Sequence, residues 1–76
     1  MRALVRLRGD GSLMVMEITS ADYYPVNQEL HLYEGQDNVF RVKHVASADA
    51  RRHITQLFSE GKTDLSAYEG EWSEQV

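Results

Sequence analysis

Residues 43 to 54, KHVASADARRHI, hold two histidines, three basic side chains and one aspartate within twelve positions. On a helix Asp49 and His53 stand four residues apart, which brings a carboxylate and an imidazole to one face. Gln56 falls on the same flank. That is half of a metal site, since zinc takes three or four protein ligands. The other imidazoles do not complete the set. His31 belongs to the far face of a strand pair, and His44 points toward the core layer. Asp49 is expected to pair instead with Arg52 or His53 on a solvated helix flank, so no metal and no cofactor is assigned. A neutral His44 at the border of the core would weaken the fold below about pH 6, because charging it there opposes burial.

Two short motifs suggest other chemistry and fail on context. The tripeptide Gly61-Lys62-Thr63 ends like a phosphate-binding loop, but position 56 is Gln where that motif needs Gly. It also follows a helix where the motif must open one. Arg8-Gly9-Asp10 matches an integrin ligand, yet its glycines are accounted for by a tight turn. No nucleophile elbow and no carboxylate pair in a recognisable catalytic setting occurs. The chain is read as non-enzymatic.

These side chains must be carried by one domain of 76 residues, near the lower limit for a self-sufficient core. The composition is 42% hydrophobic and 26% charged, with five glycines and one proline, which is globular and not disordered. Without cysteine there is no disulfide, thiolate metal site or thiol nucleophile. The longest apolar run, Leu13 to Met16, is too short to cross a bilayer. A cytoplasmic setting with no membrane contact is the expectation. The net charge of −4 opposes bulk attraction to nucleic acid. The charge is uneven: Arg2, Arg6 and Arg8 open the chain, while Asp64, Glu69, Glu71 and Glu74 close it without a base.

The periodicities predict an α+β fold, a four-stranded antiparallel meander of two hairpins with one helix on one face and a short C-terminal element. A strongly curled, small-barrel arrangement of the same strands is the alternative. Residues 2–19 form the first hairpin, with Asp10-Gly11 as a two-residue type I′ turn. That turn sets Leu7 opposite Met14 and Val5 opposite Met16, with Ala3, Val5, Leu7, Met14, Met16 and Ile18 on one apolar face. Residues 20–28 read as a connection with room for one helical turn before Pro25. Residues 29–46 form the second hairpin. A three-residue loop, Gly35 to Asp37, sets Glu29 opposite Lys43, a favourable cross-strand pair. The helix spans 47–60 with Ser47 as N-cap, Asp49 in the first turn, Ala50, Ile54, Leu57 and Phe58 as the apolar stripe, and Gly61 as the stop. The segment 62–76 fits either a short helix capped by Thr63, with Leu65, Tyr68 and Trp72 at helical spacing, or an extended segment.

One helix covers one side of a sheet. The other side then carries Leu4, Leu13, Val15, Tyr33 and Val39, a group large enough to call for a partner. Arg2, Arg6, Arg8, Arg41 and Lys43 project there too. Three occupants compete. The C-terminal segment could fold back over the face, setting its glutamates against the arginines. Another protein or a second copy could dock, using the aromatic and arginine residues that dominate interface energetics. Single-stranded nucleic acid could stack on Tyr33 or His31. The preferred reading is a small binding or inhibitor/regulatory module of the accessory-protein type, with Leu4, Arg6, Arg8, Tyr33 and Arg41 as contacts and Tyr68 and Trp72 as anchors. The partner is another protein or a second copy in a homodimer, with nucleic acid or a purely structural homodimer as alternatives.

Overall fold

Period-two alternation of apolar residues makes strands within residues 2–42, and a 3.6-residue period makes a helix of residues 47–60. The computed structural model describes residues 1–74. Its elements are β1 (Arg2–Leu7), β2 (Leu13–Glu17), β3 (Ser20–Tyr24), β4 (Glu29–Glu34), β5 (Asn38–Val42), α1 (Ser47–Glu60) and β6 (Lys62–Glu74). The strands form one six-stranded mixed sheet in the order β2-β1-β6-β5-β4-β3. The α+β class expected from the sequence holds. The four-stranded meander does not, because the C-terminal segment is a thirteen-residue strand inserted between the two hairpins. It runs parallel to β1 and antiparallel to β5. Positions 75 and 76 of that segment lie outside the described residues.

Strands β2 and β3 sit at opposite ends of the sheet order, yet only Ile18 and Thr19 separate them. Two residues span well under 10 Å, roughly the width of two strands, so the sheet has to curl until its ends meet. The hydrogen bonds record the handover. Ile18 N–H donates to Met1 C=O, and the next residue, Thr19, donates to Tyr33 C=O. Residues 13 to 24 thus act as one bent strand serving β1 with its first half and β4 with its second. The segment read as a helical connection is a strand because Ala21 and Tyr23 turn inward, and the Tyr23 hydroxyl donates to Val45 C=O.

The core is the inner side of this curl: Ala3, Val5, Met16, Ile18, Leu30, Leu32, Phe40, Val42, Val45 and Leu65, closed by Ala50 and Leu57 of α1. The second hairpin has the expected register, with Leu32 opposite Phe40 and Glu34 opposite Asn38 around a turn whose Gly35 has φ 72°. The first hairpin is shifted by two residues, pairing Val5 with Met14 and Ala3 with Met16. Its loop is longer than a type I′ turn. Gly11 N–H donates to Leu7 C=O, and the Asp10 carboxylate takes both the N–H and the hydroxyl of Ser12. A shift of two preserves the faces, so the apolar set stays inside.

Helix α1 has the expected bounds and ends on Gly61 at φ 75°, whose N–H donates to Leu57 C=O. Ser47 is the first helical residue; Ala46 occupies the N-cap position, without a side-chain cap. The buried line is Ala50, His53 and Leu57, while Phe58 is 65% exposed. The helix packs on β6 and β3, which rotates its inner face one position from the expected stripe. His53 thereby takes the place intended for Phe58.

Candidate functional site

The outer side of the sheet is built from the odd positions of β2, β4 and β5 and the even positions of β1. Strand β6 interleaves its own carboxylates among them. Arg6 of β1 is level with Glu69, and Arg41 of β5 is level with Glu71. The basic residues expected to make this face cationic are therefore opposed by acids from the chain's own end. Arg41 Nη2 donates to Glu71 Oε1 at 3.0 Å, Lys43 Nζ lies 3.1 Å from the same oxygen, and Glu29 stands within 4.0 Å of both cations. Arg8 lies 3.8 Å from Glu71 and is largely exposed. Arg2 Nε donates to Glu17 at 2.8 Å.

These contacts set the protonation of the acids. The hydrogen bond from His31 holds the Glu29 carboxyl below its usual range, with Arg41 and Lys43 adding to the effect. Lys43, then Arg8 and Arg41, do the same for Glu71. Both stay ionised in neutral solution, and the ladder is close to charge-balanced.

Arg6 does something other than face a partner. Its Nε donates to Ser66 C=O at 2.9 Å and its Nη1 to Gly11 C=O at 2.7 Å. Between Leu4–Asp64 and Arg6–Glu69 the β1–β6 register shifts, and β6 bulges. Arg6 supplies the donor that the bulge leaves Ser66 without, and it ties the first hairpin loop to that bulge.

Of the seven sequence-assigned contact residues, Leu4, Arg6, Arg8, Tyr33 and Arg41 stand on the outer side, but not as one patch. Tyr33 lies at the β4–β5 end beside the buried Val39, and the hydrogen bond with Tyr24, with burial, raises its phenol pKa above the ordinary value. Leu4 lies at the β1–β2 end beside Val15. The acidic strand β6 separates the two groups. Tyr68 and Trp72 are elsewhere. Tyr68 packs edge-on against His53, and Trp72 packs edge-on against Phe40 with ring centroids 5.3 Å apart.

The apolar part of the outer side is thus confined to the β1–β2 end. Leu13 is 50% and Val15 65% exposed. A groove of about 400 Å³ opens beside Val15, floored by Leu4 and Asp64 and walled by Arg2, Lys62, Gln56 and Glu60. Sequence reasoning named Leu4, Leu13 and Val15 but missed that the C-terminal half of α1 forms a wall.

His44 is exposed, with φ 60°, and does not border the core. The buried imidazole is His53, 4% exposed. Thr63 Oγ1 donates to Gln56 Oε1 at 2.6 Å, so its one proton is committed, and His53 Nδ1–H donates to Thr63 Oγ1 at 2.7 Å. Burial, and next the charge of Arg52, pulls the His53 pKa down, while Asp49 and Asp64 push it back. Asp49 itself accepts from Arg52 at 3.2 Å. Among the described residues no three histidine or carboxylate side chains gather at one point, and no helix is long and apolar enough to cross a membrane.

Comparison with protein-family models, with curated proteins and with solved structures gives no match for this chain.

Proposed function

We propose that this protein is a small non-catalytic protein-binding module of the regulatory or inhibitor type, and that its contact surface is the β1–β2 end of the outer sheet side. The observation that carries the reading is the juxtaposition of Leu4, Leu13 and Val15, exposed or half-exposed, beside a groove with mixed charged walls. Apolar side chains grouped on a surface and rimmed by polar residues mark interaction sites more often than isolated ones do. Arg2, Glu17, Lys62 and Glu60 supply such a rim. Arg8, paired with Glu71 at 3.8 Å but with its side chain largely exposed, is a cation able to meet a partner. Arg41 and Tyr33 are engaged internally and contribute less, and Arg6 supports the surface from within. A cytoplasmic setting suits a chain without cysteine.

The balanced charge ladder weighs against a nucleic-acid surface. His31 is hydrogen-bonded to Glu29 and packed on Tyr24, with ring centroids 4.4 Å apart, so it offers no free stacking platform.

The test compares tagged wild-type protein with V15K and K43Q variants expressed in the native host. A protein recovered in fixed stoichiometry with wild type and K43Q, and lost with V15K, supports the reading. Equal recovery with V15K removes it. A mixed oligonucleotide titrated at low and high salt serves as the control, for which no salt-dependent binding is expected.

A further inference from the structure

Among the described residues, strand β2 is hydrogen-bonded along one edge only. Leu7 N–H donates to Ser12 C=O and Ile18 N–H to Met1 C=O. Backbone groups alternate in an antiparallel ladder, so the even residues from Ser12 to Ile18 turn theirs toward β1. Leu13, Val15 and Glu17 turn theirs outward, and among the described residues no strand pairs with that edge. Natural edge strands are usually blunted by lysine, proline or a bulge. The sequence LMVME has none of these.

We propose that this edge pairs with the same edge of a second copy, antiparallel about a twofold axis, giving one continuous sheet through two molecules. The inference rests on the protein-binding reading above and names the partner. Only odd residues have free backbone groups, so odd must meet odd. The most apolar such register sets Leu13 of each chain opposite Val15 of the other, with Leu4 of both flanking them on the outer side. Each copy thus supplies the same two side chains to both halves of the contact, as an isologous interface requires.

Charge supports the same register. It sets Glu17 opposite Gly11 of the second copy. Glycine puts no side chain there, and Arg8 of the same loop stands about two strand widths, roughly 10 Å, from Glu17. That is within the combined reach of the two side chains once Glu17 turns from Arg2 and Arg8 from Glu71. The contact forms twice, acid to base both times. Arg2 and Glu17 already neutralise one another within each chain, so the net negative charge of the molecule is not concentrated at this edge.

Sedimentation equilibrium from the low to the high micromolar range tests the pairing, beside residue-resolved amide exchange. Wild type is expected to approach doubled mass, with the Leu13 and Val15 amides gaining protection as concentration rises. V15K is expected to stay monomeric with the wild-type melting temperature. E17K is expected to lose dimerisation, and E17K combined with R8E to recover it. A wild-type monomer throughout, a V15K variant that still dimerises, or a charge swap without recovery overturns the proposal. A wild-type monomer leaves the wider reading standing, because that reading falls only if V15K keeps a co-purified partner.

Discussion

Arg41 on β5 and Glu71 on β6 are direct cross-strand partners, joined by a 3.0 Å hydrogen bond on the outer side of the sheet. The pair shows how the last strand changes the character of a surface that looks cationic in the sequence. Arg41 of β5 and Lys43 just beyond it each lie within 4.0 Å of both Glu29 and Glu71. Removing the acids should therefore uncover the charge. The double variant E29Q/E71Q is expected to bind a heparin column and elute with added salt, whereas wild type passes through. Equal elution of the two would mean that the ladder is not balanced by these carboxylates.

Gly70 is pressed against the Phe40 ring. A Cβ built there would stand 2.4 Å from Phe40 Cε2 and 2.7 Å from the Arg41 carbonyl oxygen, and the carbonyl belongs to a paired strand that cannot yield cheaply. G70A should destabilise the fold by about 1–3 kcal/mol or more, as overpacked cores do. Chemical denaturation measures it; a loss within error would show that β5 and β6 are not held this closely.

Arg6 bridges two carbonyls, one in the bulge and one in the first loop. R6A should cost about 1–3 kcal/mol, the range for a charged hydrogen bond with its acceptor left unpaired. R6K should recover only part, because one ammonium cannot reproduce the forked geometry. An R6A variant as stable as wild type would remove the clamp.

His53 gives the protein an acid-sensitive step. In the unfolded chain it takes up a proton near its ordinary pKa of 6.5, while burial keeps it neutral to lower pH in the fold. The unfolded state then binds more protons, so the stability contribution is whole above pH 6.5 and declines as the pH falls below it. Glu29, with its pKa lowered from 4.5, loses its contribution only in a later, more acidic window. H53N keeps a donor toward Thr63 without a titrating ring. Its melting temperature should stay flat where that of wild type begins to fall, and parallel profiles would assign the decline to another group.

Much of the inner face was legible because strand alternation survives error. A hairpin misplaced by two residues keeps Ala3, Val5, Met14 and Met16 on the same side, so the inner face of the first hairpin was correct although its turn was not. The register of the second hairpin was legible because Gly35 and the Glu29–Lys43 pair specify the same loop length, although its second strand ends at Val42, before His44. Strand β6 was hidden by its own bulge. Thr63 and Leu65 face inward at odd positions, then Gly70 and Trp72 face inward at even ones. That change of phase breaks the alternation and leaves Leu65, Tyr68 and Trp72 at a spacing that imitates a helix. The split of the outer side followed from the same error, since only a strand placed centrally sets Glu69 and Glu71 among the bases. His53 was missed as a buried group because the stripe centred on Ile54 gave its place to Phe58.

The central claim is that contact with another polypeptide takes place at Leu4, Leu13 and Val15, not along the charged ladder. The most direct measurement is the mass of the native assembly, by light scattering after purification from the native host, for wild type, V15K and R41Q/K43Q side by side. The account predicts a complex larger than one chain for wild type and the ladder variant, and a folded single chain for V15K. A V15K protein with the full wild-type mass, together with dissociation of R41Q/K43Q, would contradict it.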